Sequence, residues 1–221
     1  MSPPSKEVEI AVESWSAHQR TGALNRAFDI LCAAMGLFLL SPLFCAVAAA
    51  IKLEDGGPVF YRQIRVGRRF QRFRVCKFRS MVTDADRYGL LTAPGDPRLT
   101  RVGGFLRRYK LDELPQLFNV FRGDMQLVGA RPELNKYVEL FRQQYEAILQ
   151  ERPGITDPAS LAYRHEDQIF SASRLGPQYM EQQYVEEILP AKLGLSLAYQ
   201  KQRTLFSDVR ILLQTVFGLF A

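Results

Sequence analysis

The chain has 221 residues, of which 47% are hydrophobic and 24% charged, a composition that excludes an intrinsically disordered protein. Its length suits one domain with short appendages, and its formal charge of +6 favours anionic partners such as phospholipid headgroups, nucleotides or nucleic acid. The three cysteines form no Cys-x-x-Cys pair and no zinc-site spacing with histidine, and reduced thiols fit a reaction on the cytosolic side.

The N-terminal arm, residues 1–23, is polar, mixed in charge and unlike a secretory signal peptide. It leads into a membrane region that we bound at residues 24–53, within which Ile30 to Ile51 carry no charge. As a straight helix this uncharged run would extend about 33 Å, enough to cross a hydrocarbon core of about 30 Å. The alternative is a core helix buried inside the protein.

Ser41 and Pro42 lie in the middle of this apolar run. Proline removes a backbone hydrogen bond and clashes with the preceding turn, so we expect a kink there, with the Ser41 hydroxyl satisfying a freed carbonyl. Two topologies stay open: a kinked spanning helix, or a helix-break-helix that enters and leaves on one face. In both, the many basic residues after Lys52 predict a cytosolic C-terminal flank.

Two extended segments, Val59–Val66 and Phe70–Phe78, are separated by a turn at Gly67 and predict a short β-hairpin. From Arg62 to Arg79 the chain has eight basic residues and no acidic one. Such a stretch suits a solvated face, a nucleic-acid site with interleaved phenylalanines, or a surface against anionic lipid. The neighbouring apolar run favours lipid.

Asp112 and Glu113 open an apolar segment whose large side chains recur at helical spacing: Leu114, Leu117, Phe118 and Phe121. Because Pro115 fits the first turn of a helix, both carboxylates should lie at or just before a helix N-terminus. Free amide groups and the positive end of the helix dipole attract anions there. Residue type alone leaves Asp112 three roles: nucleophile, metal ligand or helix N-cap.

Three further helical stretches follow this segment. The first is an amphipathic helix predicted from Glu133 to Gln150, ended by the turn at Pro153-Gly154. The second covers residues 179–203 and is interrupted at Pro190. The third, residues 205–221, is amphipathic and suits either the protein core or a membrane interface.

Seven separated blocks then agree in order and spacing with one family: a Ser-Pro-broken apolar segment, IKL, GGPVFYRQ-R-G, KFRSM, LDELPQL-NV--GDM, VG-RP and PGIT. Together they resemble the bacterial sugar transferases, the monotopic phosphoglycosyl transferases that start glycan assembly on a polyprenyl phosphate. The resemblance runs from about Arg26 to the C-terminus. It covers nearly the whole chain outside the polar arm.

The resemblance implies an α+β fold that is mostly helical, with one catalytic domain at residues 54–204 and a short β-hairpin. It implies that residues 24–53 form a re-entrant membrane helix-break-helix hinged at Ser41-Pro42, and that residues 205–221 form an amphipathic interfacial helix. The expected location is the inner membrane of a bacterium, with the catalytic domain on the cytosolic face. A homodimer is compatible with this arrangement, and no nucleic-acid partner is expected.

The same resemblance implies transfer of a sugar phosphate from a UDP-sugar to undecaprenyl phosphate, with release of UMP, as a first step in exopolysaccharide, capsule, O-antigen or glycoprotein glycan synthesis. Asp112 is the expected nucleophile and a ligand of Mg²⁺. Glu113 completes the catalytic dyad, and two roles stay open for it: holding the metal environment, or handling the proton of the acceptor. The expected substrate contacts are Lys77, Arg79, Arg107, Arg131 and Pro132. The alternative is a catalytically silent membrane scaffold in a glycan assembly complex.

Overall fold

The computed structural model describes residues 23–85, 96–164 and 177–218. Within these ranges the chain is mostly helical with two small sheets, which confirms the predicted α+β class. Most of the predicted N-terminal arm and the last three residues of the predicted C-terminal helix lie outside the described residues.

Two apolar helices come first, α1 at Ala23–Leu39 and α2 at Ser41–Asp55. Pro42 stands in the first turn of α2, where its missing amide hydrogen has no intrahelical partner to lose. The Ser41 hydroxyl donates a hydrogen bond of 2.7 Å to the Phe38 carbonyl at the end of α1. The Ser-Pro pair therefore begins a second helix instead of kinking the interior of a single one.

No single helix in the described ranges is both long and apolar enough to cross a membrane. Leu24–Leu39 and Ser41–Asp55 pass that test only as a pair, bent by 59° at the break. One side of α1 exposes a row of large apolar side chains: Leu24, Leu31, Met35, Phe38 and Leu39. The opposite side carries the fully buried Ala33 and packs on the body of the protein.

The predicted β-hairpin is confirmed as β1 at Phe60–Val66 and β2 at Arg72–Phe78, paired antiparallel with Ile64 opposite Arg74. A short 3₁₀ turn over Arg68–Phe70 joins the strands. Next to β2 lies the Asn119 side chain, which accepts a hydrogen bond from the Cys76 amide at 2.9 Å and donates one to the Arg74 carbonyl at 2.7 Å. A side-chain amide thus takes the place of a third strand along the edge of β2.

The middle of the chain contains α3 at Arg101–Arg108, a 3₁₀ turn at Leu111–Glu113, α4 at Gln116–Arg122 and β3 at Gln126–Val128. β3 pairs in parallel with β4 at Gly154–Thr156. The sequence did not predict this second sheet, because strands of three residues are too short to show an alternating pattern.

The C-terminal part contains α5 at Asn135–Leu140, α6 at Arg142–Ile148, α7 at Pro158–Ala162, α8 at Pro177–Gln183, a π-helical turn at Tyr184–Ile188, α9 at Leu189–Gln202 and α10 at Leu205–Gly218. The single helix predicted from Glu133 to Gln150 is wrong. Phe141 leaves helical geometry and packs against the buried core between α5 and α6. The helix predicted over residues 179–203 is interrupted, as expected near Pro190. The irregular part is the π-helical turn at Tyr184–Ile188, and Pro190 lies in the first turn of α9.

The packing of the core is continuous across the predicted boundary between residues 53 and 54. One buried cluster joins Val47 and Ile51 of α2 to Phe78 of β2 and Leu106 of α3. The C-terminal helix α10 is likewise built into the body, since Ile211 is buried in a second cluster with Ala33. α10 nevertheless also leaves large apolar side chains exposed: Phe206, Leu213, Val216 and Phe217.

Adjacent glycines in α3 allow a matched test of this packing. A Cβ at Gly103 would overlap the Ser80 backbone, whereas a Cβ at Gly104 would have nothing within 4 Å. We expect Gly103→Ala to lower the free energy of unfolding by about 3 kcal/mol, at the upper end for overpacking. Gly104→Ala should raise it by up to about 1 kcal/mol through helix propensity. Thermal unfolding midpoints measure both; similar midpoints for the two variants would contradict the close approach of α3 to Ser80.

Candidate active site

The predicted carboxylate pair lies in the 3₁₀ turn directly before α4, which confirms its expected place near a helix N-terminus. Lys110 enters this turn in the left-handed conformation, with φ of 54°. Leu111 and Leu114 anchor it by packing against the cluster that joins α2, β2 and α3. The residue that caps α4 is Pro115, so Asp112 is not the N-cap of that helix.

Asp112 is only 6% exposed, and its Oδ1 atom is buried without a hydrogen-bond partner among the described residues. Burial, together with the negative charge of Glu113, raises the pKa of Asp112, while Lys77, Arg107 and Lys110 oppose this shift. A buried carboxylate oxygen without a partner carries a desolvation cost, and such an atom is available for a ligand or an incoming electrophile.

Glu113, by contrast, is fully engaged with two cations. Arg131 grips both of its carboxylate oxygens, with Nη1 donating to Oε2 at 2.9 Å and Nη2 donating to Oε1. Lys77 Nζ also donates to Oε1, at 2.8 Å. Burial alone would raise the pKa of Glu113, but these two cations hold it well below its usual range. Glu113 is therefore a fixed negative charge that joins the end of β2 to the segment after β3.

Two other predicted substrate contacts flank this pair of carboxylates. Arg107, in the last turn of α3, donates from Nε to the Ser80 hydroxyl at 2.9 Å. Pro132 is buried, and its carbonyl accepts a hydrogen bond from Arg65 at 3.3 Å, which fixes the backbone directly after Arg131. Sequence reasoning missed Ser80 as a partner of Arg107, although it lies within the KFRSM block, and missed Lys110 as a charge acting on Asp112.

Arg79 is placed differently from the other predicted substrate contacts. Its guanidinium pairs with Asp55 at the end of α2, with Nη1 to Oδ2 at 2.6 Å, and its Nε donates to the Pro58 carbonyl at 2.7 Å. This pairing lowers the pKa of Asp55 to about 2. With 6% exposure, Arg79 holds the start of the hairpin against α2. Its predicted contact with a substrate phosphate would require this pair to open, and the geometry gives that prediction no support.

The predicted site residues therefore divide into groups. The structure brings Asp112, Glu113, Lys77 and Arg131 together, with Arg107 close enough to act on Asp112. Arg79 instead pairs with Asp55 where α2 meets the hairpin. Ser41 and Pro42 lie at the break between α1 and α2.

The fit of the predicted Mg²⁺ rests on the Asp112 oxygen. Across the described ranges no group of three or more His, Cys, Asp or Glu side chains would hold a metal ion, so these ranges offer no cage of protein ligands. Mg²⁺ commonly binds through one or two carboxylates plus substrate phosphates. The unpartnered Oδ1 of Asp112 fits that mode of binding. Oxygens of a diphosphate substrate would then supply further ligands to the ion.

The fold and the site define an α+β protein in which a buried carboxylate turn is surrounded by cations, a layout suited to phosphate groups. The family described as bacterial sugar transferase matches residues 20–221. The chain belongs to the bacterial sugar transferase family.

Several curated proteins are similar to this chain. It is 37% identical over 199 residues to the UDP-glucose:undecaprenyl-phosphate glucose-1-phosphate transferase of Escherichia coli (strain K12), covering 88% of this chain and 39% of the relative. It is 44% identical over 146 residues to the UDP-N-acetylgalactosamine-undecaprenyl-phosphate N-acetylgalactosaminephosphotransferase of Aeromonas hydrophila, covering 63% and 34%. It is 39% identical over 161 residues to the exopolysaccharide production protein ExoY of Sinorhizobium fredii (strain NBRC 101917 / NGR234), covering 62% and 71%. The chain thus spans well under half the length of the first two relatives.

The raised pKa of Asp112 gives a prediction about stability. Because ionising this carboxyl is costlier in the folded than in the unfolded chain, the wild type should lose stability relative to Asp112→Asn as the pH rises above the ordinary value of 3.8. Thermal midpoints of both proteins in metal-free buffer, from about pH 4 to about pH 8, measure the difference.

Asp55→Asn is a control whose effect on stability should stay constant between about pH 4 and about pH 8. Arg79 lowers the pKa of Asp55, so this wild-type carboxylate stabilises the fold above 3.8, and its contribution is lost as the pH falls through about 2. A wild-type midpoint that stays constant or increases relative to that of Asp112→Asn as the pH rises would contradict the assignment.

Proposed function

We propose that this protein is a phosphoglycosyl transferase that moves a sugar phosphate from a UDP-sugar to undecaprenyl phosphate and releases UMP. The observation that carries the proposal is the buried, unpartnered Asp112 oxygen beside a glutamate locked by two cations. The relatives support these substrate classes, since they include undecaprenyl-phosphate transferases for glucose 1-phosphate and for N-acetylgalactosamine phosphate.

In the first half of the reaction, an Asp112 carboxylate oxygen attacks the phosphorus that bears the sugar. A new oxygen–phosphorus bond forms while the bond between this phosphorus and the bridging oxygen breaks. UMP leaves with the bonding electron pair, and the sugar phosphate stays on Asp112 as an acyl phosphate. Such a covalent intermediate divides one difficult transfer into two easier ones.

In the second half, an oxygen of undecaprenyl phosphate attacks the same phosphorus. The bond to Asp112 breaks, the carboxylate regains its electron pair, and the product is undecaprenyl diphosphate sugar. Because polyprenyl phosphate brings a charged oxygen of its own, this step needs no protein base.

The cations around the turn would offset the repulsion between a carboxylate and a diphosphate. Arg107 and Arg131 are guanidiniums, whose planar fork matches phosphate oxygens, and Lys77 adds a point charge at the end of β2. Mg²⁺, held by Asp112 and substrate phosphates, would supply further neutralisation of charge on the leaving nucleotide.

We assign Glu113 a positioning role. Its two oxygens already accept from Arg131 and Lys77, and those cations strongly favour its ionised form. A carboxylate so engaged is poorly suited to collecting a proton. Its charge instead holds two cations from separate elements within reach of the reacting phosphates.

We also propose that α1 and α2 form a re-entrant membrane insertion on the cytosolic face of the bacterial inner membrane. The bend of 59° at Leu40, the exposed apolar side of α1 and the arginines that follow α2 support this topology. The core shared by α2, β2 and α3 would then place the carboxylate turn next to the membrane interface.

Replacement of the nucleophile tests the reaction. We expect Asp112→Asn to lose activity by about 10⁴-fold or more, as deletions of a nucleophile commonly do. The assay measures UMP release from a panel of UDP-sugars by membrane-embedded protein with undecaprenyl phosphate. Near-normal UMP release by the variant would remove Asp112 from the mechanism. A wild type that releases no UMP with any donor would favour the silent scaffold.

Glu113→Gln is the matched comparison, since it also removes one negative charge from the same turn. With donor alone, this variant should still form the acyl phosphate on Asp112, more slowly than the wild type, whereas Asp112→Asn should form none. Intact-mass measurement of the protein after brief exposure to UDP-sugar detects the adduct. Complete absence of the adduct in Glu113→Gln would give Glu113 a chemical role instead of a positioning one.

Cysteine labelling tests the topology. In a background without Cys32, Cys45 and Cys76, single cysteines at Ser5 and Leu90 are labelled from each side of sealed vesicles. A re-entrant insertion places both positions on one side, so both should react with the same impermeant reagent. Labelling from opposite sides would establish a spanning helix.

A further inference from the structure

Arg68 and Arg69 lie in the turn of the hairpin, and the fold divides the other six basic residues from Arg62 to Arg79 into two groups. Three of these cations point inward and pair with acidic residues of other elements. Arg65 bonds Glu133 at 3.0 Å, Lys77 bonds Glu113 at 2.8 Å, and Arg79 is held by Asp55. These three residues serve the fold and the site, and each already has a carboxylate partner.

Arg62, Arg72 and Arg74 form the second group, which we name the hairpin basic face. In the register of the hairpin, Arg62 lies opposite Cys76, Arg74 opposite Ile64, and Arg72 opposite Val66, so all three project from the same side of the sheet. All three are exposed. No carboxylate in the described part of the chain forms a salt bridge with any of them.

Arg122, at the end of α4, extends this face. Arg62 hydrogen-bonds the Cys76 thiol, and the positive charges of Arg62 and Arg122 both oppose the burial that raises the pKa of Cys76. Both guanidiniums therefore lie close enough to the Cys76 thiol to act on it. Beside them, Ile64 is 55% exposed and Phe121 is 50% exposed, which gives the surface apolar as well as cationic groups.

A chain of aromatic contacts connects this surface to the helix pair. Phe60, at the start of β1, stacks on Phe78 with ring centroids 5.5 Å apart. Phe78 meets Phe44 in the first turn of α2 at 5.1 Å, and Phe44 meets Phe118 of α4 at 6.0 Å. The hairpin thus packs directly against the segment that we propose enters the bilayer.

We propose that the hairpin basic face, together with Arg122, docks on the headgroups of anionic phospholipids. Cations without carboxylate partners, with apolar side chains among them and an apolar helix pair alongside, match a surface of anionic headgroups. This inference rests on the membrane attachment proposed above. It gives the arginines of the hairpin a task separate from that of the cations around Asp112.

Nucleic acid fits this face less well. Proteins that bind single strands stack bases on aromatic rings that lie exposed along a basic groove. The phenylalanines interleaved with the arginines are instead turned into the protein: Phe78 is 1% exposed, and Phe70 and Phe73 pack against buried clusters. The surface keeps its positive charge, but the phenylalanines between its arginines are turned away from it, and the exposed ring beside them is that of Phe121 on α4.

Lipid retention tests the inference. The full chain is reconstituted in nanodiscs of mixed phosphatidylglycerol and phosphatidylcholine, extracted gently, and its bound lipids are quantified by mass spectrometry. The variant R62Q/R72Q/R74Q is compared with K136Q/R142Q/K201Q, which removes the same charge from exposed positions on α5, α6 and α9. Both variants keep every residue that we place in the active site.

We expect the wild type and the control variant to enrich phosphatidylglycerol equally. The hairpin variant should lower the enrichment by at least about fivefold, the contribution of a single basic residue at an anionic surface. In about 1 M NaCl, where the screening length is about 3 Å, the enrichment should disappear. The ratio of retained lipids does not depend on turnover, so a wild type without transferase activity would overturn the proposed function and leave this result standing.

Three outcomes would overturn the inference. The first is equal enrichment by the wild type and the hairpin variant, and the second is an equal loss in the control variant. The third is salt-sensitive capture of a single-stranded oligonucleotide that the hairpin variant loses while it keeps its phosphatidylglycerol, which would assign the face to nucleic acid. A separate arm adds inorganic phosphate: displacement of phosphatidylglycerol by phosphate alone would also overturn the inference, because it would show a site for free phosphate.

Discussion

The junction at Glu113 is the interaction on which the candidate site depends. One carboxylate holds Lys77 from β2 and Arg131 from the segment after β3, two elements that no local sequence signal brings together. An ion pair in a half-buried setting contributes little to stability by itself, because desolvation offsets much of the attraction. Its main consequence is geometric, since it fixes two cations beside Asp112, whose Oδ1 atom has no hydrogen-bond partner among the described residues.

The apolar helices and the site share one packed core. α1 is fastened to the body through Asp29, whose carboxylate accepts from the Leu127 amide at 3.2 Å, and through Arg26, which donates to the Phe121 carbonyl at 3.1 Å. Arg79 and Asp55 make the corresponding connection at the end of α2. Since interiors are close-packed and transmit strain, a shift of the helix pair would displace the carboxylate turn. This packing places the candidate site against the apolar helix pair α1–α2, and not on a separate domain.

The same residue type performs three tasks within one short hairpin. Arg79 is a structural clamp, Arg65 fixes the backbone at Pro132, and Arg62, Arg72 and Arg74 face outward. The alternation of side chains along each strand separates these tasks, because successive residues point to opposite sides of the sheet. A basic run that looks uniform in sequence therefore has an inner side whose cations pair with carboxylates and an outer side whose cations form no salt bridge with the described residues.

Sequence alone determined the elements with strong local signals. The Ser-Pro break, the hairpin around Gly67 and the position of Asp112 before a helix follow from proline stereochemistry, turn chemistry and hydrophobic spacing, all of which act over a few residues. The family also followed from the order of its motifs.

Only the tertiary structure decided which charges meet. The pairing of Glu113 with Lys77 and Arg131, the use of Arg79 against Asp55, the break at Phe141 and the β3–β4 sheet all join segments distant in the chain. Such contacts depend on how the core packs, and a pattern with a period of two or of 3.6 residues does not encode them.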